Sequence, residues 1–316
     1  MKIVYFAVAT TGLDQDANSI CELAAMGEHD ESPRSINVLP SGKFTSQASS
    51  YNGYTLRISN DGERHLLRNG IEVETSPLQK GLEDFFHFLL EKAEGSCTTV
   101  LLGWNSQAFH IKLLLQAFKQ CGIPIKPLES AGICYGDPLL MIRARRENFQ
   151  QLSGVHNLKL PDIYNHLHRC NDSESNCKNA CHIISMLKTV VSSLDVSEKY
   201  LKEAHCIYTL TSAKKVLSYN LRVKRNLASL EGRLYCPTAG SSHVVKGVIN
   251  KSTAKKIAQS GLKYKDLKKV HHRCGREGLE GLLKAPLDGA KPRVTKDQRV
   301  IDKIVSHFEQ RKSRHT

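Results

Sequence analysis

The sequence lacks any apolar run near the roughly 20 residues of a membrane-spanning helix, so no such span is expected. It lacks a dense cysteine framework as well. Ten cysteines are scattered through 316 residues, which predicts reduced thiols in the cytosol or nucleus. No secretion signal is expected either. The apolar opening Ile3–Ala9 stops at Thr10-Thr11-Gly12, at the bottom of the range for a signal's apolar region, and reads better as a short buried strand. Serine or threonine nucleophile triads, a phosphate-cradling glycine loop, dinucleotide fingerprints, long-period repeats and low-complexity tracts are absent too. Acidic residues are scarce in one part only. Residues 1–195 hold 18 Lys+Arg against 21 Asp+Glu, whereas residues 196–316 hold 27 against 10. The formal charge of +14 therefore sits entirely in the C-terminal part. That asymmetry points to a nucleic-acid or acidic-partner surface there, the alternative being a solubilising face with nuclear-import basics.

What is present is a globular composition, 40% apolar and 24% charged, long enough for one good core and a smaller unit. Lys2–Val8, Asn18–Gly27 and Ser35–Leu39 read as three strands of a meander, with a turn over Thr10–Asp16. Ser76–Lys92 is an amphipathic helix, with Ser76 as N-cap, Pro77 at the first helical position and apolar residues recurring every three to four. Thr98–Gly103 is a strand covered on both faces, and Phe109–Gln120 a helix. Gly132–Met141 reads as a strand, and Leu158–His168 and Lys178–Leu194 as helices. Residues 198–230 are basic and helical, and 236–248 form a linker. Four short helices follow: Thr253–Gln259, Tyr264–Arg273, Arg276–Lys284 and Asp297–Arg311. The expected organisation is a domain over 1–195, a basic helical connector over 196–250 and a basic helical module over 251–316.

The motifs sharpen the α/β pattern. Tyr5-Phe6-Ala7-Val8-Ala9-Thr10-Thr11-Gly12-Leu13 resembles the first motif of the DEDD-type 3′→5′ exonucleases, in which a strand ends in apolar-Asp-x-Glu-Thr-Thr-Gly-Leu. Leu102-Gly103-Trp104-Asn105-Ser106-Gln107-Ala108-Phe109-His110 resembles the second, and the best register for the third places Lys178, Ala180, Ile183 and Leu187 on His-x-Ala-x-x-Asp-x-x-x-Leu. Val38-Leu39-Pro40 and Ala48–Tyr54 are similar to the segment carrying a small Asn-Gly turn near the nucleotide end. The resemblance covers residues 1–194. It implies a ribonuclease H-like exonuclease fold, a mixed central sheet flanked by helices, followed here by a small basic all-α module.

In that family four carboxylates hold two metal ions roughly 4 Å apart, which activate water and stabilise the leaving oxygen. Hard oxygen ligands are needed for Mg²⁺ or Mn²⁺. By the resemblance, Ala7, Ala9, His110 and Ile183 stand at the four acids and Lys178 at the general-base histidine. The packing residues of each motif survive and the chemical ones are gone. No catalytic residue and no cofactor is therefore expected; Mg²⁺ or Mn²⁺ would enter only if Asp14, Asp16, His110 or Asp172 rebuilt a working site. A second register, from His156-Asn157-Leu158, puts Asp162 one position too far along and reads as the ordinary helix before the motif. The chain is similar to degenerate members: the exonuclease-like domain of the longest promyelocytic leukaemia protein isoform and its invertebrate relatives. In layout it is also similar to the maternal protein exuperantia, which pairs such a domain with a sterile-alpha-motif-like module and binds RNA.

Two further groups carry chemistry. Cys170, Cys177, Cys181 and His182 are a weak zinc candidate set, since Cys170-x₆-Cys177 is not a standard knuckle. Arg222, Lys224, Arg225, Lys255, Lys256, Lys268, Lys269 and Arg273 are candidate phosphate contacts. Aromatics are sparse among them (Tyr208, Tyr219, Tyr235, Tyr264), so backbone or shape recognition is expected over base reading. The favoured reading is an inactive exonuclease-fold protein that binds RNA or single strands. Thr10, Thr11, Gly12, Leu13 and Asn105 would hold a strand end, and the basic helices would supply most of the affinity. The alternatives are a protein-interaction scaffold and a residual exonuclease. A nuclear or cytoplasmic location is expected.

Overall fold

The computed structural model describes residues 1–12, 19–169, 179–196, 201, 206–236, 247–286 and 292–312. It divides into two compact units, Met1–Lys215 and Val216–Thr316. Among the described residues no helix is long and apolar enough to cross a membrane, and Cys21, Cys97, Cys121, Cys134, Cys181 and Cys274 are free thiols.

The first unit is built on strand β1 (Lys2–Thr10), buried from Ile3 onward. β2 (Ile20–Gly27) and β3 (Arg34–Asn37) continue from it as an antiparallel meander. Helix α1 (Ser46–Asn52) is capped by Thr45 and ended by Gly53, whose φ of 74° is the left-handed region glycine enters without strain. A separate three-stranded sheet follows: β4 (Tyr54–Ile58), β5 (Arg64–Arg68) and β6 (Ile71–Glu72). Then come α2 (Leu78–Ala93), β7 (Thr99–Leu102), α3 (His110–Gln120), α4 (Lys126–Ser130), β8 (Ile133–Gly136) and α5 (Pro138–Ala144). α6 (Leu160–His168), α7 (Ala180–Ser193), β9 (Ile207–Thr209) and α8 (Leu210–Leu230) complete this stretch. The large sheet has the order β3-β2-β1-β7-β8-β9. β7 and β8 run parallel to β1, and β9 pairs antiparallel with β8. This mixed sheet, a meander followed by crossover strands and flanked by helices, is the α/β arrangement that the sequence pattern predicts.

Burial of β1 on both faces follows from its helices. Tyr5, Ala7 and Ala9 share one apolar cluster with Ile184, Leu187 and Val190 of α7. The intervening Phe6 meets the edge of His110 on α3. Alternate residues of a strand face opposite sides, so α7 covers one face of β1 and α3 the other.

Several elements differ from the sequence reading. Ser76 does not cap α2, because its backbone pairs with Asn37 and Leu39, leaving Pro77 as the cap residue. The stretch that reads as a strand over Gly132–Met141 is a four-residue strand followed by a helix. Asp137 caps that helix through the Leu139 N–H, with Pro138 at its first position. The hairpin sheet of β4–β6 and the edge strand β9 are not foreseen by the pattern; both are short and lack clear alternation. The first unit runs beyond residue 195, since β9 completes its sheet.

The boundary between the units falls within α8. The second unit holds α9 (Lys251–Gln259), α10 (Tyr264–Lys284) and α11 (Gln298–Lys312) around Leu230, Leu234, Ile257, Leu267, Leu283 and Ile304. Residues 216–236 thus contribute Leu230, Leu234 and Tyr235 to a core, although the sequence pattern assigns them to a connector. The two helices expected over 264–273 and 276–284 are present as the two halves of α10, separated at Gly275 (φ 57°, ψ −148°), a conformation that suits glycine alone.

One buried charge links the meander to α7. Glu22, fully buried on β2, accepts the Ala180 N–H at 2.7 Å and the Ser35 hydroxyl at 2.9 Å, and takes the Cys181 thiol at 3.3 Å. Glu22→Ala leaves these donors unpaired and is expected to lower unfolding free energy by about 3 kcal/mol. Glu22→Gln, which keeps one acceptor oxygen, is expected to lose less. Urea denaturation followed by circular dichroism measures both, and equal stability of the alanine variant and wild type would refute the anchor.

Candidate functional site

A single cleft of about 750 Å³ in the first unit gathers residues from all three motifs. Val8, Ala9, Thr10 and Gly12 come from the end of β1, Trp104, Asn105, Phe109 and His110 from the β7–α3 connection, and Ile183 and Met186 from α7. Tyr51 and Asn52 of α1, Leu139 and Arg143 of α5, and residues 157–162 at the start of α6 complete the wall.

The end of β1 is shaped by a bulge. Register with β2 runs regularly to Ala9–Glu22 and then jumps to Thr10–Ile20. Such a bulge re-aims the strand at a rim. Asn52, buried, donates through its side chain to the Thr10 carbonyl at 2.9 Å, and the Thr10 hydroxyl donates to the Gly12 carbonyl. Thr10 and Gly12 reach the cleft. Thr11 is buried, its backbone bonded to Ser19 and Thr45, and does not line it. Leu13 lies outside the described residues.

The β7–α3 connection is held from behind by Asp137. Its carboxylate accepts the backbone N–H groups of Asn105, Gln107 and Leu139 at 3.0, 3.1 and 3.2 Å. Burial pushes its pKa up to about 6, while the three N–H bonds pull it down. The turn needs Asn105 at φ 53°, which asparagine tolerates. It also needs Gly103, where a Cβ would come within 2.9 Å of Phe6 and Ser106. Asn105 is exposed on the cleft wall.

The positions aligned with the family's acids now have surroundings. Ala7 is fully buried beneath the cleft, Ala9 and Ile183 line it, and His110 closes its end. His110 Nδ1 accepts the Val8 N–H at 3.1 Å, which leaves the ring proton on Nε2. Burial lowers its pKa to about 4, so the ring is neutral near pH 7. Two methyl groups, a branched alkyl chain and an imidazole engaged by backbone do not fit a two-metal site. Glu22 faces the same side of the sheet as its partner Ala9, but it is committed to the N-terminus of α7. Among the described residues no group of three or more His, Cys, Asp or Glu could hold a metal ion. Lys178, Asp14, Asp16 and Asp172 lie outside the described residues. Asp162 stands on the cleft wall, in the first turn of α6.

For zinc, Cys170 and Cys177 lie outside the described residues. Cys181 is turned to Glu22, and burial together with that carboxylate pushes its thiol up to about 12. A thiol so raised is a poor source of the thiolate that zinc requires. In the second unit Lys255, Lys256, Lys268, Lys269 and Arg273 are exposed on α9 and α10, and Arg222, Lys224 and Arg225 on α8. Val216–Thr316 holds 23 Lys+Arg against 8 Asp+Glu. Sequence reasoning missed Glu22, Asp137, Arg143 and Lys159. Asp137-Pro138 carries a helix-start signal that could have revealed the second of these.

The fold and cleft define an α/β domain with a cleft at the end of its central strand, followed by a basic helical unit. The family model for the PML C-terminal domain matches residues 244–311, which lie within the second unit. No curated protein matches the sequence. The structure of Escherichia coli exonuclease I with single-stranded DNA and zinc is similar at 13% identity and TM-score 0.46, covering 74% of this chain and 46% of that one. A second exonuclease I structure is similar at 14% and 0.47, covering 73% and 46%. The complex of the E. coli enzyme with a dA16 oligonucleotide is similar at 12% and 0.47, covering 63% and 42%. The chain thus spans less than half the length of these exonuclease chains.

His110 gives a prediction with a definite sign. A histidine whose folded pKa lies below its unfolded value of about 6.5 adds stability above that pH. This stability is lost as pH falls through the folded value of about 4. Asp137, with a raised pKa, acts in the opposite sense over the same window, so a variant must isolate the histidine. Between pH 7 and 4 the wild type is expected to lose about 3 kcal/mol more than His110→Asn, whose side-chain oxygen can still accept the Val8 N–H. Thermal melts across that range measure it; parallel curves for the two proteins would contradict the assignment.

Proposed function

We propose that this chain is a catalytically inactive exonuclease-fold protein that binds single-stranded nucleic acid, RNA foremost. The observation that carries the reading is the cleft itself: Ala9, His110 and Ile183 converge there at motif positions where the resemblance demands metal-binding acids. The cleft of the fold is kept while its carboxylates are gone. A strand end would rest against Thr10, Gly12 and Asn105. The exposed lysines and arginines of the second unit, in a region with few acids, would contact successive phosphates and supply most of the affinity. Their sparse aromatics favour backbone recognition over base reading. This reading implies a nuclear or cytoplasmic location.

The test is binding of labelled single-stranded RNA and DNA across a salt series, with Mg²⁺ and Mn²⁺ present so that shortening is read in the same tube. Steeply salt-weakened binding without shortening is expected. Charge reversal of Lys255, Lys256, Lys268 and Lys269 is expected to flatten the log–log salt slope by roughly 0.7 for each phosphate no longer neutralised. Absence of binding at low salt would refute the reading in favour of a protein-interaction scaffold, and shortened strands would show a working nuclease.

A further inference from the structure

The charge on the cleft wall differs in sign from the one the motif pattern implies. Four clustered carboxylates repel a phosphodiester until metal ions neutralise them. Among the described residues the charged side chains on the wall are Arg143, Lys159 and Asp162, with His110 neutral. Arg143 and Lys159 are exposed. Arg143 also faces Asp137, but that carboxylate is buried behind the wall and bonded to three backbone N–H groups. The rest of the wall is largely apolar, with Trp104, Phe109, Leu139, Ile183 and Met186 beside amide side chains of Asn105 and Asn157.

We infer that the cleft accepts a nucleotide unit of a single strand without any divalent metal, the phosphate held by Arg143 and Lys159 and the base against the apolar wall at Trp104. This deepens the proposed function and rests on it. The same substitutions that remove the ligands for a metal remove the need for one, because a phosphate entering this cleft meets cations first.

Trp104 is the sole tryptophan of the chain, so its fluorescence reports on the cleft alone. The experiment titrates the full chain with a short oligouridylate, in EDTA and separately in Mg²⁺, reading both tryptophan emission and the anisotropy of a labelled strand. In EDTA the emission is expected to quench saturably, with the same midpoint within about twofold in Mg²⁺. The double variant Arg143→Glu, Lys159→Glu should shift that midpoint at least about tenfold. Three outcomes overturn the inference: quenching that requires Mg²⁺, strand binding by anisotropy with no change in emission, or a charge-reversed cleft that quenches like wild type. In each of these the strand still binds and the proposed function stands. If neither signal moves at low salt, the proposed function itself falls.

Discussion

The buried carboxylate of Glu22 is the interaction on which the cleft's geometry depends most. It sits across from Ala9 on the neighbouring strand and binds the first N–H of α7. The two elements that flank the cleft, the end of β1 and the helix carrying Ile183, are thereby held in fixed relation. A negative charge at a helix N-terminus is favoured by the helix dipole and by otherwise unpaired N–H groups. In an apolar interior that preference is enforced, because a charge left without donors is costly. Lys188, further along α7, donates to the Asp30 carbonyl in the β2–β3 turn, so the helix is tied to the β2–β3 region at two points.

Asp137 does the corresponding work on the other side. It collects three backbone N–H groups from two connections and so fixes the turn that presents Asn105 and Trp104. Both acids lie outside the aligned motif positions. Glu22 and Asp137 thus hold backbone, where the carboxylates of the motif pattern would hold metal.

How far the sequence discloses this depends on the length of each signal. β1, β2, α2 and α3 carry long apolar patterns of clear period, and their places follow from it. The short elements do not. β8 and α5 together occupy fewer residues than one reliable helical window, and the proline that starts α5 reads by pattern as part of a strand. β9 is three residues long and takes its identity from its partner β8. The motifs are legible in the sequence as ordered segments, and Ala9, Asn105, His110 and Ile183, far apart along the chain, line one cleft. The rim cations are not, since Arg143 and Lys159 lie on or beside short helices whose meeting at one wall is a tertiary fact. The role of His110 as an acceptor for a β1 amide is hidden for the same reason: the bond joins residues 102 apart in sequence.

The side chains at the four motif positions also make structural sense as a set. A cluster of carboxylates in a half-buried cleft is strained by desolvation and mutual repulsion whenever its metal ions are absent. Ala7 and Ala9 belong instead to the apolar core of the first unit, and Ile183 packs against it. His110 is edge-on to Phe6 and Phe109 and bonded to the strand it covers. Each of these groups is satisfied by the fold alone. Residues at catalytic positions commonly lower stability for the sake of chemistry, whereas the side chains at these four positions favour packing. Their burial and the packing of the motif residues around them have one physical cause: apolar and internally bonded groups bury at little cost, while Glu22 and Asp137 fix the backbone that frames the cleft.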